Sequence, residues 1–138
     1  MSDFEAYLAE GERLHVNGRY SQAIYHYTQA IGLKPKESIG YELRAVAHYD
    51  QKRYQAALSD FNEVIRLNPF NDVAHWGKGK VFAAMGDVSW AIHNYSRAID
   101  LNGDEADYYQ DRAAALRQLG RYREADQDEA MAMTFADC

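Results

Sequence analysis

Cysteine is almost missing from this chain: the single one, Cys138, is the last residue, so no internal disulfide and no cysteine-based metal site is available. Nor does it sit in a lipidation box, which places the cysteine four from the end. Proline is nearly as scarce, and two prolines among 138 residues leave helices almost uninterrupted. No window approaches the roughly 18 apolar residues of a membrane span, and Met1-Ser2-Asp3-Phe4-Glu5 has no basic stretch leading into an apolar run. A soluble, intracellular, cytoplasmic protein without membrane contact is expected. Positive charge is also short. Fifteen Lys and Arg against 21 Asp and Glu give a net charge of −6, which opposes binding to phosphate backbones, so nucleic acid is not expected as a partner.

What is present is ordinary globular composition, 47% hydrophobic and 26% charged, arranged with a strict internal period. Gly11, Ala45, Gly79 and Ala113 follow one another at steps of 34 residues. Ala23, Ala57, Ala91 and Ala125 keep that step, as do Ala30, Val64, Ala98 and Ala132, and then Leu33, Leu67, Leu101 and Phe135. Tyr27, Phe61 and Tyr95 form an aromatic series that ends at Glu129. Turn signals recur in register at Asn17-Gly18, Gln51-Lys52, Met85-Gly86 and Leu119-Gly120, where glycine suits a left-handed helix end. Each period therefore reads as helix A, a short turn and helix B. Small residues let the two backbones approach, and the aromatic fills the gap to the next pair.

A 34-residue period with small residues at its eighth and twentieth positions resembles the tetratricopeptide repeat family, over Phe4 to Cys138. The resemblance implies an all-α fold, a right-handed superhelical α-solenoid in a single domain over residues 1–138, with repeats at 4–37, 38–71, 72–105 and 106–138. Pro35 and Pro69 stand at the closing position of the first two repeats, and Gly103 and Asp137 take it in the last two. One departure is regular. The seventh position, often Leu in the family, holds Glu10, Arg44, Lys78 and Arg112, which is expected of an exposed position.

The resemblance also implies a ligand groove lined by the A helices and a role in protein–protein interaction rather than catalysis. Its inner positions include Leu8, Glu12, Ile39, Glu42, Leu43, Val46, Tyr49, Val73, Trp76, Gly77, Lys80, Asp111 and Arg117. Leu8, Ile39, Leu43, Val46, Tyr49, Val73 and Trp76 make an apolar strip flanked by Glu5, Glu12, Glu42, Asp50, Asp107 and Asp111, against only Lys80 and Arg117. The expected ligand is a peptide with apolar anchors and net positive charge. Gly77 is unforced by the repeat, since Gly79 already fills the small position, and it leaves space beside Trp76. Family members that serve the cytosolic chaperones grip a C-terminal carboxylate with Lys, Asn and Arg at positions that hold Leu8, Glu12, Leu43, Val73 and Gly77 here. A peptide ending in Glu-Glu-Val-Asp is therefore not an expected ligand.

Catalysis, cofactor and metal find no foothold. The five histidines, His15, His26, His48, His75 and His93, include no pair spaced i, i+4 on a helix. Gly77-Lys78-Gly79-Lys80 superficially matches a phosphate loop but lies inside a helix and lacks the following Ser or Thr. The last B helix, with Glu124, Asp126, Asp128 and Glu129, reads as a polar cap, yet Met131, Met133 and Phe135 stay apolar. The alternative to a peptide-binding scaffold is thus a structural protein that self-associates, as a homodimer, through these three residues.

Overall fold

The computed structural model describes residues 1–136; Asp137 and Cys138, and with them the closing position of the fourth repeat, lie outside the described residues. Eight α-helices follow in order: α1 (Asp3–Val16), α2 (Tyr20–Leu33), α3 (Ser38–Asp50), α4 (Tyr54–Leu67), α5 (Asp72–Ala84), α6 (Val88–Leu101), α7 (Ala106–Gln118) and α8 (Tyr122–Phe135). Odd-numbered helices are the A helices and even-numbered ones the B helices. The fold is all-α, built of helix-turn-helix repeats. The chain divides into two compact units, Met1–Pro69 with α1 to α4 and Phe70–Cys138 with α5 to α8.

Every A helix ends in the same way. Gly18 N–H donates to the His15 carbonyl and Arg19 N–H to the Leu14 carbonyl, both at 2.9 Å, which is the paired bonding of a Schellman end. The Arg53 to His48, Asp87 to Phe82 and Arg121 to Leu116 bonds, 2.8 to 2.9 Å, repeat it. The motif needs a left-handed residue. Gly18, Gly86 and Gly120 supply it with φ of 76° to 86°, while the second turn uses Lys52 at φ 62°. These turns hand the chain directly to the B helices, none of which has a side-chain cap. At the other ends, Ser2 Oγ accepts from Glu5 N–H and Asn71 Oδ1 from Ala74 N–H, starting α1 and α5.

In the first unit, Leu14, Ala23, Tyr27 and Ala47 are buried together, with Leu8, Ile24 and Leu43 packed against them. Tyr27 is wholly buried and sits over Gly11 so closely that a Cβ there would lie 2.4 Å from its ring. Tyr95 covers Gly79 in the second unit in the same way, at 2.5 Å. Where the eighth position is alanine, at Ala45 and Ala113, the aromatic position holds Phe61 or Glu129 instead. The second unit buries Ala91, Tyr95 and Ala115 against Trp76, Phe82, Val88 and Ile92, and Ala113, Leu116 and Ala125 beside them. Among the described residues no helix is long and apolar enough to cross a membrane.

The seventh position is not an exposed one. Arg44 on α3 donates from Nε and Nη2 to the two carboxylate oxygens of Asp60 on α4, each at 2.8 Å, and from Nη1 to Thr28 Oγ1 on α2. Arg112 on α7 makes the same fork with Asp128 on α8, at 2.8 and 2.7 Å, and reaches Ser96 Oγ on α6. Both aspartates are buried, so the charge is retained because a fixed partner waits on the neighbouring helix rather than because water does.

Candidate functional site

Within the first unit α1 and α3 lie side by side, and their exposed faces carry the predicted residues. Ile39 and Val46 on α3 are 38% and 39% exposed although both are aliphatic. Leu8, Leu43 and Tyr49 are half-buried, and the first two brace the core. Tyr49 tilts against Tyr54 at 6.0 Å. Glu12 is exposed and Glu42 half-buried. The far ends of α1 and α3 are tied by His15 Nε2 and Asp50 Oδ2 at 2.6 Å, so Asp50 has a hydrogen-bond partner within the unit.

In the second unit the corresponding face belongs to α5 and α7. Trp76 donates from Nε1 to Asp111 Oδ2 at 2.6 Å, its ring tilts on Tyr108 at 5.3 Å, and Lys80 Nζ lies 4.5 Å from its centroid. A tryptophan gripped on three sides is a preorganised surface. Val73 is 39% exposed next to it, and Gly77 is half-buried. Asp72 accepts from the Tyr108 hydroxyl at 2.5 Å and from Asn102 Nδ2 at 3.2 Å, which fixes the start of α5 against α7 and holds the Tyr108 pKa above its ordinary 10, burial being the larger cause. Arg117 does not serve this face: it donates to Glu129 and Asp126 on α8 at 2.7 to 2.9 Å. Those exposed pairs give Glu129 a role as ion-pair partner in place of the aromatic.

The predicted self-association residues divide. Met133 is 78% exposed and Met131 39%, whereas Phe135 stacks on Tyr109 at 5.9 Å and belongs to its own unit. Of the histidines, His26 packs between Tyr7 and Tyr25, His48 lies 3.7 Å from Asp60, and His75 is half-buried. Burial lowers the pKa of His48 and of His75 below the ordinary 6.5. Among the described residues no group of three His, Cys, Asp or Glu side chains is gathered as a metal would need.

A family model for the tetratricopeptide repeat matches residues 8–72, a stretch that runs from within α1 to the start of α5 and holds both closing prolines. The chain belongs to the tetratricopeptide repeat family. One curated tetratricopeptide repeat relative, the tetratricopeptide repeat and J domain-containing co-chaperone DNJ1 of Cryptococcus neoformans, is 35% identical over 92 residues, which is 67% of this chain and 18% of the relative. The chain spans 18% to 28% of the length of the first curated relatives it matches. Among solved structures, the crystal structure of MamA is similar with a TM-score of 0.88 at 23% identity, over 97% of this chain and 78% of that one. The first tetratricopeptide repeat domain of Spaghetti, bound to the HSP90 peptide SRMEEVD, is similar with a TM-score of 0.81 at 22% identity, over 86% of this chain and 94% of that one. Both likenesses establish the tetratricopeptide repeat fold.

The sequence places Trp76, Lys80 and Asp111 on this face but does not reveal the contacts that join them. Asp111 stands 35 positions on, one helical pair plus one residue, and that spacing is the only trace the bond leaves in the sequence.

Proposed function

We propose that this chain is a non-catalytic scaffold that binds a protein or peptide partner through the A-helix faces of its repeats. The observation that carries the reading is the exposure of Ile39, Val46 and Val73, three aliphatic side chains on the A helices. Acidic Glu12 beside the first-unit face favours a segment with apolar anchors and basic residues. The family relatives, a co-chaperone among them, support an interaction role. The HSP90 peptide is a property of the Spaghetti domain, and its carboxylate has no counterpart to meet here, since Leu8, Leu43, Val73 and Gly77 carry no charge and Glu12 repels it.

A peptide array probed with the full chain tests this, using Val46→Glu and Val73→Glu as controls. Leu43 and Trp76 also brace the cores, so the two valines separate binding from folding more cleanly. Basic-apolar peptides are expected to bind and to lose most of their signal with one or both variants, and peptides ending in Glu-Glu-Val-Asp are expected to stay at background. Binding indifferent to both valines overturns the reading. Self-association is the second reading, and the exposure of Met133 favours it. Light scattering on Met133→Lys decides it: a dimer that dissociates supports it, and a monomer before and after removes it.

A further inference from the structure

Repeats two and four each set an arginine against an aspartate sixteen residues on, Arg44 with Asp60 and Arg112 with Asp128. The third repeat has a cation at the same place, Lys78, but the residue at the matching position is Asn94. Asn94 is buried, and its Nδ2 donates to the Trp90 carbonyl at 2.9 Å. No carboxylate pairs with Lys78 among the described residues. Lys78 is half-buried, and burial alone draws its pKa below the ordinary 10.5. A partly desolvated ammonium without a counterion is unfavourable, and the two sister repeats show what this scaffold puts there when the charge is closed internally.

The surroundings add positive charge rather than relieve it. His75, Lys78 and Phe82 from α5, with Trp90, His93 and Arg97 from α6, line an open depression of about 230 Å³. Arg97 reaches Asp100 only loosely, at 3.9 Å between exposed groups. His75 has a buried Nδ1 with no partner; after burial, Arg97, Lys78 and His93 disfavour its protonation, with Asp72 pulling the other way. This is a cationic spot on a chain whose net charge is −6. Beside it Trp90 is 59% exposed, stacked on Phe82 at 6.1 Å and met edge-on by His93 at 5.6 Å. A fixed aromatic next to the unpaired Lys78 is the composition of a protein-binding hot spot.

We infer that this depression receives a carboxylate side chain from an acidic segment of a partner protein. The carboxylate takes the place at Lys78 that Asp60 and Asp128 fill in the sister repeats, and an apolar neighbour in the segment lies on Trp90 and Phe82. The volume, about 230 Å³, is below the roughly 300 to 1,000 Å³ of small-molecule sites, and the depression opens to the surface, so a side chain of a peptide fits it better than a free ligand. None of these residues belongs to the faces of the preceding section, so the two proposals stand or fall separately.

The chain's two tryptophans give two indole N–H resonances, which Trp76→Phe assigns. The full chain is titrated with the blocked peptide Asp-Asp-Leu-Glu-Phe, with its amide twin Asn-Asn-Leu-Gln-Phe and with inorganic phosphate. The Trp90 signal is expected to move saturably with the acidic peptide and to stay still with the twin. Lys78→Met is expected to weaken the acidic peptide about tenfold. Asn94→Asp, which supplies the carboxylate from within, is expected to weaken it by a similar factor while raising the melting temperature. Equal movement with the amide twin, or Asn94→Asp binding as tightly as the parent, overturns the inference. So does phosphate that moves Trp90 when the acidic peptide does not.

Discussion

Lys52 holds φ at 62° in a turn where the three counterparts are glycine, and a Cβ in that region is costly because it crowds the following carbonyl. Its side chain is exposed, so little is lost by removing it. Lys52→Gly is therefore expected to stabilise the chain by about 1 kcal/mol, the strain relieved outweighing the added freedom of the unfolded chain. Chemical denaturation reads this directly, and an unchanged or lower midpoint refutes it. The turn itself was legible from register, since Lys52 falls 34 residues after Gly18, but the strained backbone was not. Trp76 shows the same division. Its place on an A helix follows from the period, whereas its bond to Asp111 depends on how α5 and α7 approach.

Between helices, the Arg44–Asp60 and Arg112–Asp128 forks decide how A and B pair in the second and fourth repeats. Asp128 has a side chain only 6% exposed, so Arg112→Ala strands a carboxylate out of water. We expect a loss of about 3 kcal/mol, mostly the cost of the unpaired charge. Replacing both residues by leucine removes that cost, and the double variant should lie within about 1 kcal/mol of the parent. Thermal or denaturant unfolding of the two variants checks this. If the double variant is as damaged as the single one, the fork contributes attraction rather than avoiding a penalty. A charge at the seventh position looked exposed in the sequence because its partner lies on another helix. The available signal was recurrence: Arg with Asp sixteen residues on in repeats two and four, against Glu10 with His26 and Lys78 with Asn94 in repeats one and three.

Across the whole molecule the 34-residue step weighs every repeat alike, so it foretold four helix-turn-helix repeats without foretelling the grouping into two compact units. The polar pairs follow a longer step, with repeat two matching repeat four. His48 illustrates how far the match goes, because Leu116 fills the same place in repeat four and is buried. His48 is half-buried with Nδ1 unpartnered, and burial lowers its pKa; Asp60 opposes that, while Arg44 and Arg53 add to it. His75 is lowered for the same first reason. The sign follows from linkage. Above the ordinary 6.5 both folded and unfolded chains keep these rings neutral, and below it the unfolded chain takes up the protons first. Stability is thus full near neutral pH and falls as pH drops through the depressed values. Lowering the pH from about 7.5 to about 5.5, where carboxylates remain ionised, should reduce the melting temperature of the parent. His48→Leu, built on the precedent of Leu116, should reduce that drop by removing one of the two responsible rings. A parent whose melting temperature is flat across this window, or a variant that falls just as steeply, would show that burial does not hold His48 neutral.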